Sequence, residues 1–242
     1  MILLPAIDIL EGKAVRLARG EFDQRTEYDT DPVDAARRWV AAGARALHVV
    51  DLDGARSGAP VNLEQVERIV REVDVPVQFG GGLRSTVSVR KALAAGADRV
   101  VLGTAAYTDQ EFLDDAIATW RARIVVAVDV RGGQVSVSGW TEEIDLKPED
   151  VIERMQQRGV STFAYTSVDR DGMLGGIDLD EVRRISGAVR GHFLYSGGIG
   201  SVEDLQALRA LRLVNLTGVI SGKALYEGRF TVADGQAALA SR

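Results

Sequence analysis

The sequence predicts an α/β protein, specifically a single-domain (β/α)8 barrel of the TIM type. Short β-branched runs alternate with amphipathic stretches along the whole chain, which indicates repeated β-α units and a parallel sheet. The two halves of the 242-residue chain also resemble each other. Eight β-α units with twofold internal similarity favour a closed ring of strands, because a ring leaves no strand edge unpaired.

The predicted elements alternate strictly along the chain. The eight strands are expected at 2–8, 46–51, 75–79, 99–103, 124–129, 162–167, 192–196 and 217–221. The eight helices are expected at 31–42, 62–72, 86–95, 109–119, 148–158, 178–188, 202–210 and 230–239. Asp31-Pro32, Asn62 and Lys147-Pro148 suit helix starts, since they offer a capping side chain or a first-turn proline. An open doubly wound sheet is the rival fold, but it usually carries a glycine fingerprint after its first strand.

An internal duplication is visible in four landmarks that recur in one order. They are Ala6-Ile7-Asp8 and Ala127-Val128-Asp129, Asp53-Gly54 and Asp171-Gly172, Gly81-Gly82 and Gly197-Gly198, and the segments beginning at Gly103 and Gly222. The repeat is far longer than a solenoid unit of 20–50 residues. We therefore expect one domain, 1–242, built from half-barrels at approximately 1–120 and 121–242. In this alignment His48 corresponds to Thr166.

Composition narrows the function classes. The net charge of −6 gives no basic footprint for nucleic acid. The absence of cysteine excludes disulfides and thiolate chemistry, and neither of the two histidines has a second ligand at metal-binding spacing. The N-terminal sequence has no basic region followed by a long apolar stretch. We expect a cytoplasmic monomer that binds a small molecule, with no metal and no membrane partner.

Aspartates are the leading candidates for catalysis, because a barrel site lies at the C-terminal ends of the strands. Asp8 and Asp129 each end an apolar strand beside the expected cavity. Carboxylates that share a cavity shift each other's pKa, so one can hold a proton while another accepts one. Asp171 is a third candidate. The remaining strand-end acids, Asp51, Asp53 and Asp169, are interpreted as caps or acceptors for loop hydrogen bonds.

Glycines directly after strands three, four, seven and eight indicate phosphate binding. Glycine permits a close backbone approach, and the following helix N-terminus adds a favourable dipole. The candidate phosphate-binding residues are Arg16, Gly81, Gly82, Gly103, Thr104, Gly176, Gly197, Gly198, Gly222 and Lys223. Two pairs of loops related by the duplication predict two phosphate sites across the barrel mouth. The expected ligand is therefore elongated and carries a phosphate at each end.

Three further residues are candidates for substrate binding. His48 and Thr166 lie near strand ends that flank the two main aspartates, and Trp140 follows strand five, where its ring could cover a heterocycle. His192 is interpreted as a surface or packing residue because it precedes an apolar strand. Trp39 and Trp120 fall on predicted helices and are interpreted as packing residues.

Several of these motifs together resemble the phosphoribosylformimino-aminoimidazole carboxamide ribotide isomerases of histidine biosynthesis. The segments that carry the resemblance are 5–8, 12–17, 47–55, 80–84, 170–172, 196–199 and 222–228. They span the whole chain. The glycine segments alone are shared with other phosphate-binding barrels, whereas the order of all seven is specific.

The resemblance implies an Amadori rearrangement of a phosphoribosyl aminoaldose to an aminoketose, without a metal or redox cofactor. By similarity Asp8 is the general base and Asp129 the general acid, with Asp171 a competitor for the role of acid. His48 and Thr166 are expected to support the substrate.

The sequence leaves alternatives open. Ser167 and Met173 depart from the family pattern around the sixth loop. A bifunctional branch, which also isomerises phosphoribosylanthranilate, carries an arginine where this chain has Ser138, so the simple isomerase is favoured. Two other hypotheses for the function are the sister cyclase of the next pathway step and an inactive phosphate-binding barrel.

Overall fold

The computed structural model describes residues 1–15, 31–137 and 146–240 with their side chains, and the backbone alone of 16–18, 21–29 and 142–144. Twelve strands fall within these residues: β1 Ile2–Leu10, β2 Lys13–Ala18, β3 Glu21–Asp29, β4 Leu47–Asp51, β5 Val77–Gly80, β6 Arg99–Leu102, β7 Ile124–Arg131, β8 Gln134–Val137, β9 Glu142–Ile144, β10 Thr162–Ser167, β11 His192–Ser196 and β12 Leu216–Ser221.

Eight of these strands form a closed parallel barrel. The order runs β10-β11-β12-β1-β4-β5-β6-β7, and parallel pairing of β7 with β10 closes the ring. Closure gives every barrel strand two neighbours, so no barrel edge is left unpaired. The predicted (β/α)8 barrel is confirmed, and each of the eight predicted strands overlaps a barrel strand.

Helices connect the barrel strands. Eleven α-helices lie in the described parts of the chain: α1 Pro32–Ala41, α2 Leu52–Ser57, α3 Leu63–Glu72, α4 Thr86–Ala94, α5 Ala105–Thr108, α6 Gln110–Trp120, α7 Pro148–Gln157, α8 Leu179–Ala188, α9 Val202–Ala210, α10 Lys223–Tyr226 and α11 Val232–Leu239. All eight predicted helices are confirmed. The short helices α2, α5 and α10 were not predicted.

Two antiparallel hairpins repeat the duplication in detail. β2 continues β1 through a turn at Glu11-Gly12, and β8 continues β7 through a turn at Gly132-Gly133. All four turn residues have positive φ, as a two-residue type I′ turn requires. Asp8 faces Val15 across the first hairpin and Asp129 faces Ser136 across the second. The two aspartates therefore occupy matching positions, 121 residues apart.

β4 and β10 are the strands that pair with β1 and β7 in the two halves. Their residues correspond with a different sequence offset from the one that the sequence alignment predicts. Asp8 pairs with Val50 on β4, whereas Asp129 pairs with Thr166 on β10. Val50 is therefore the counterpart of Thr166, and the proposed correspondence of His48 with Thr166 is wrong by two positions. The counterpart of His48 is Ala164, since these residues pair with Ala6 and Ala127.

Two apolar layers stabilise the barrel. The larger one packs the outer face of the strands against the helices and includes Ile7, Phe79, Val126 and Phe193. The smaller one fills the barrel interior with Leu4, Ala6, Ala46, Val101, Val125, Ala164, Leu194 and Ile220. A filled interior confines any ligand to the mouth of the barrel.

The helix starts agree only in part with the sequence prediction. Asp31 caps α1 by accepting a hydrogen bond from the Val33 amide at 2.9 Å. Asn62 precedes α3 but makes no side-chain capping bond. Its amide group instead donates to Asp51 and Asp53, at 2.7 and 2.8 Å. Asn62 thus joins the helix start to the loop after β4.

Candidate functional site

The main cavity, which we define by its lining residues at the C-terminal mouth of the barrel, has a volume of about 240 Å³. Its floor includes Val101, Ala164 and Ile220 from the interior layer. Its walls come from strand ends and the loops that follow them, among them 80–84 and 103–105. This is the end of the barrel where the sequence predicts the site.

Of the three predicted catalytic aspartates, Asp129 is the one that lines the main cavity. It lies near the end of β7, is half-buried and lines the cavity together with Thr166 and Ser136. Ser136 is brought there by the hairpin, as the residue opposite Asp129 on β8. A carboxylate flanked by two hydroxyl-bearing residues can exchange a proton with a ligand in this cavity.

Asp8 occupies the equivalent strand position but is more enclosed. It is 7% exposed and lies between Val15 of the hairpin and Val50 of β4. Among the residues that the structure describes with side chains, Asp8 is not part of the main-cavity wall. The structure therefore brings the two aspartates to the same end of the barrel but gives them unequal access to it.

Asp171 belongs to a second, smaller pocket. This side pocket has a volume of about 20 Å³ and lies between the loops that follow β10, β11 and β12. Asp171 is 7% exposed and follows a short 3-10 turn, Val168–Arg170. Ile220 lines both the side pocket and the main cavity, so the two spaces are neighbours.

The first pair of glycine loops lines the main cavity as predicted, through Gly81, Gly82, Gly103 and Thr104. Gly81 and Gly82 have φ values of +115° and +70°. A Cβ on Gly81 would lie 2.2 Å from the Asp51 carbonyl oxygen. Only glycine fits this turn, because a side chain would collide with the backbone of the preceding loop.

The second pair of glycine loops lines the side pocket, through Gly197, Gly198, Gly222 and Lys223. The Gly198 amide is already used, since it donates to the Arg170 carbonyl at 3.0 Å. Gly176 lies behind the pocket wall and donates its amide to the Gly198 carbonyl at 3.0 Å. These two amides brace the loop from within the protein.

Lys223 is tied to the loop that carries Asp171. Its ammonium group donates to the Gly172 carbonyl oxygen at 2.8 Å and lies 3.8 Å from Glu227. This contact joins the start of α10 to the residue next to Asp171. Lys223 therefore holds the side pocket together as well as supplying positive charge to it.

His48 and Thr166 both line the main cavity. The Nδ1 atom of His48 lies 2.9 Å from the Nε2 atom of Gln78 on the adjacent strand. His192 is exposed at the start of β11, at the far end of the barrel. The side chains of Arg16 and Trp140 lie outside the described residues.

The remaining tryptophans pack as predicted. Trp39 is buried, its ring 5.0 Å from that of Tyr226 in an edge-to-face arrangement. Trp120 is partly buried against the core.

The three acids interpreted as loop acceptors are confirmed in that role. Asp51 is fully buried and accepts hydrogen bonds from the amides of Gly54, Val61 and Asn62 at 2.7–2.8 Å. Asp53 accepts from the Glu11 amide at 2.6 Å, and Asp169 accepts from the Gly132 amide at 2.7 Å. The last two bonds are equivalent, since each joins a hairpin turn to the loop of the next strand. Asp169, not Asp171, is therefore the counterpart of Asp53.

Tyr107 also lines the main cavity, a position that was not predicted from the sequence. Its hydroxyl donates to the carbonyl of Ala127, two residues before Asp129. Burial raises the pKa of the Tyr107 phenol well above its ordinary value, and the nearby charge of Asp129 raises it further. Tyr107 is thus a neutral donor that anchors β7 below Asp129. The recurrence of tyrosine in the segments after Gly103 and Gly222 was the available signal.

The described residues contain neither a metal-binding cluster nor a membrane-spanning helix. No group of three or more His, Cys, Asp or Glu side chains among them is arranged to hold a metal ion. No helix in these parts of the chain is long and apolar enough to cross a membrane.

Comparison with known proteins assigns the chain to a family. Residues 2–231 match the family described as histidine biosynthesis protein. A relative from Desulforudis audaxviator is 46% identical over 97% of this chain and 89% of its own length. Relatives from Rhodospirillum rubrum and Xanthobacter autotrophicus are each 43% identical over at least 99% of both chains. All three are named 1-(5-phosphoribosyl)-5-((5-phosphoribosylamino)methylideneamino) imidazole-4-carboxamide isomerase. The chain belongs to the histidine biosynthesis protein family.

Proposed function

We propose that this chain catalyses the isomerisation for which its relatives are named, converting the phosphoribosyl aminoaldose to its aminoketose. The observation that carries the proposal is the position of Asp129 in the main cavity, with the glycine loops 81–82 and 103–104 on the cavity wall. A carboxylate suits proton transfer, and bare backbone at the mouth of a barrel suits a phosphate.

The proposed substrate carries a phosphate at each end. One phosphate binds at the loops 81–82 and 103–104, and the other binds at the side pocket beside Gly197, Gly222 and Lys223. Support comes from the two glycine-lined spaces lying side by side at one end of the barrel. The amide of Gly198 is engaged within the protein, so Lys223 and the remaining backbone carry this second contact.

The proposed reaction needs one acid and one base. Asp129 protonates the ribose ring oxygen, and the C1′–O bond breaks to give an open-chain protonated Schiff base. Asp8 then removes the proton from C2′, and the resulting enolamine tautomerises to the aminoketose. Asp171 is the second candidate for the acid, because it is buried in the neighbouring pocket. The neutral phenol of Tyr107 supports the Asp129 strand throughout.

The test is an assay of the purified protein with the aminoaldose ribotide, without added metal or nucleotide. We expect the ketose to form, and the absence of turnover would overturn the proposal. Parallel assays with phosphoribosylanthranilate, and with the ketose plus ammonia, identify the bifunctional isomerase and the sister cyclase respectively. Tight binding of the aminoaldose with no product in any of the three assays would identify an inactive phosphate-binding barrel.

A further inference from the structure

A polar pair lies in the wall of the barrel below the glycine loops. His48 on β4 and Gln78 on β5 are register partners, and the Gln78 amide nitrogen lies 2.9 Å from Nδ1 of His48. Gln78 is 2% exposed, whereas His48 is half-buried and lines the main cavity. Gln78 is not part of the described cavity wall, and it reaches the cavity through its contact with His48.

The other half of the barrel has no such pair at the same place. The register partners there are Ala164 on β10 and Leu194 on β11, both buried in the apolar interior. The fold thus accommodates two apolar residues at this position. Burying a polar amide costs free energy unless it is hydrogen-bonded, so the His48–Gln78 pair is more than a requirement of barrel packing.

The contact selects one form of the imidazole. A neutral imidazole has one donor nitrogen and one acceptor nitrogen, and the hydrogen bond at one nitrogen determines which is which. The Gln78 amide nitrogen is a donor only, so Nδ1 must accept and the proton must reside on Nε2. The Gln78 carbonyl oxygen is buried and makes no hydrogen bond within the described residues.

We propose that Gln78 is a positioning residue that holds His48 as the Nε2–H tautomer, so that His48 presents an N–H donor to the ligand. A donor suits a phosphorylated sugar, whose hydroxyl and phosphate oxygens accept hydrogen bonds. The tautomer itself is independent of the reaction. Its use on this substrate rests on the proposed function.

The direct test is imidazole NMR of the uniformly 15N-labelled, full-length protein, through two-bond 15N–1H correlations. The chain has only two histidines, and the exposed His192 serves as an internal reference. At a pH where the imidazole is neutral, we expect His48 to show a protonated Nε2 and an unprotonated Nδ1. A protonated Nδ1 would overturn the proposal, because it requires the amide oxygen of Gln78 to face the ring.

Two variants separate positioning from packing. Gln78→Leu introduces the residue that the other half carries here, and we expect intermediate 15N shifts from mixed tautomers of His48. Gln78→Glu replaces the amide donor with a carboxylate acceptor, and we expect the proton to move to Nδ1. The His192 signals should stay unchanged in both. A Gln78→Glu spectrum in which Nδ1 of His48 stays unprotonated would overturn the proposal, even if the leucine variant fails to fold.

Steady-state kinetics test whether the Nε2–H tautomer of His48 contributes to substrate binding. We expect Gln78→Leu to raise the KM for the aminoaldose by about twofold, because only the fraction of His48 that keeps the Nε2–H donor binds it fully, with a smaller effect on kcat. An unchanged KM alongside a changed tautomer would overturn the role in substrate binding. If the wild-type protein shows no turnover at all, the proposed function fails while the NMR result still decides the tautomer.

Discussion

Thr166 is the register partner of Asp129 on the neighbouring barrel strand, and both residues line the main cavity. The corresponding neighbour of Asp8 in the other half is Val50. The duplicated barrel therefore places a hydroxyl beside one aspartate and two methyl groups beside the other. Neighbouring dipoles influence how readily a carboxylate holds a proton, so this difference gives two matching aspartates a basis for different roles.

Thr166→Val tests that difference by giving the second half the residue of the first. We expect turnover to fall by about tenfold, because the cavity loses one hydrogen-bonding group, while the fold is retained. Thr162→Val is the matched control, since Thr162 begins the same strand at the far end of the barrel. Steady-state kinetics on both variants measure the effect. Equal rates for the two variants would contradict a role for the Thr166 hydroxyl.

Two glycines of the first phosphate loop pair should respond differently to alanine. Gly81→Ala places a Cβ 2.2 Å from the Asp51 carbonyl at a φ of +115°, and we expect a stability loss of at least ~2 kcal/mol. A Cβ added at Gly103 meets no atom of the described residues within 4 Å, apart from its two chain neighbours. We expect Gly103→Ala to fold normally and to raise the KM, because its methyl group occupies space proposed for a phosphate.

Urea unfolding and substrate titration distinguish the two outcomes. A Gly103→Ala protein with a wild-type KM would show that no phosphate approaches this backbone. A Gly81→Ala protein with wild-type stability would show that the loop has room for a side chain.

Three of the five tyrosines should resist ionisation in the folded protein. Burial is the main cause that raises the pKa values of Tyr107, Tyr165 and Tyr195 above the ordinary value of 10.0. At a pH somewhat above 10, tyrosines in the unfolded chain lose their phenolic protons, whereas these three keep theirs in the folded protein. Their stabilising contribution is therefore complete below about pH 10 and is lost as the pH rises from there toward the folded pKa values.

Alkaline titration followed by ultraviolet absorbance and circular dichroism tests this expectation. We expect the three buried tyrosines to ionise together with the loss of circular dichroism. Ionisation of all five tyrosines before any loss of structure would contradict the burial described for Tyr107, Tyr165 and Tyr195.

Local patterns were sufficient to predict the barrel. Strands such as Thr162–Ser167 and His192–Ser196 were predicted with their observed bounds, because buried parallel strands are short apolar runs with clear ends. The two hairpins were missed, although Glu11-Gly12 and Gly132-Gly133 are suitable two-residue turns. The strands that follow these turns have only six and four residues, so their periodicity gives little signal.

Contacts between distant segments could not be predicted. The Asp-Gly dipeptides at 53–54 and 171–172 align in sequence. In the structure, however, Asp53 and Asp169 are the residues that accept equivalent hydrogen bonds from the two hairpin turns. The tether from Lys223 to the Gly172 carbonyl spans 51 residues and depends on side-chain reach. Register and side-chain direction are settled by tertiary packing, which no local pattern contains.

Turnover of the aminoaldose by Asp129→Asn tests the central claim most directly, with Asp114→Asn as the control. Asp114 is an exposed partner of Arg158 on the outside of the barrel, so its substitution should leave turnover close to the wild-type rate. Asparagine at 129 keeps the shape of the side chain but cannot transfer a proton. We expect kcat to fall by at least about 100-fold with circular dichroism unchanged, and a folded Asp129→Asn protein with wild-type turnover would contradict the account.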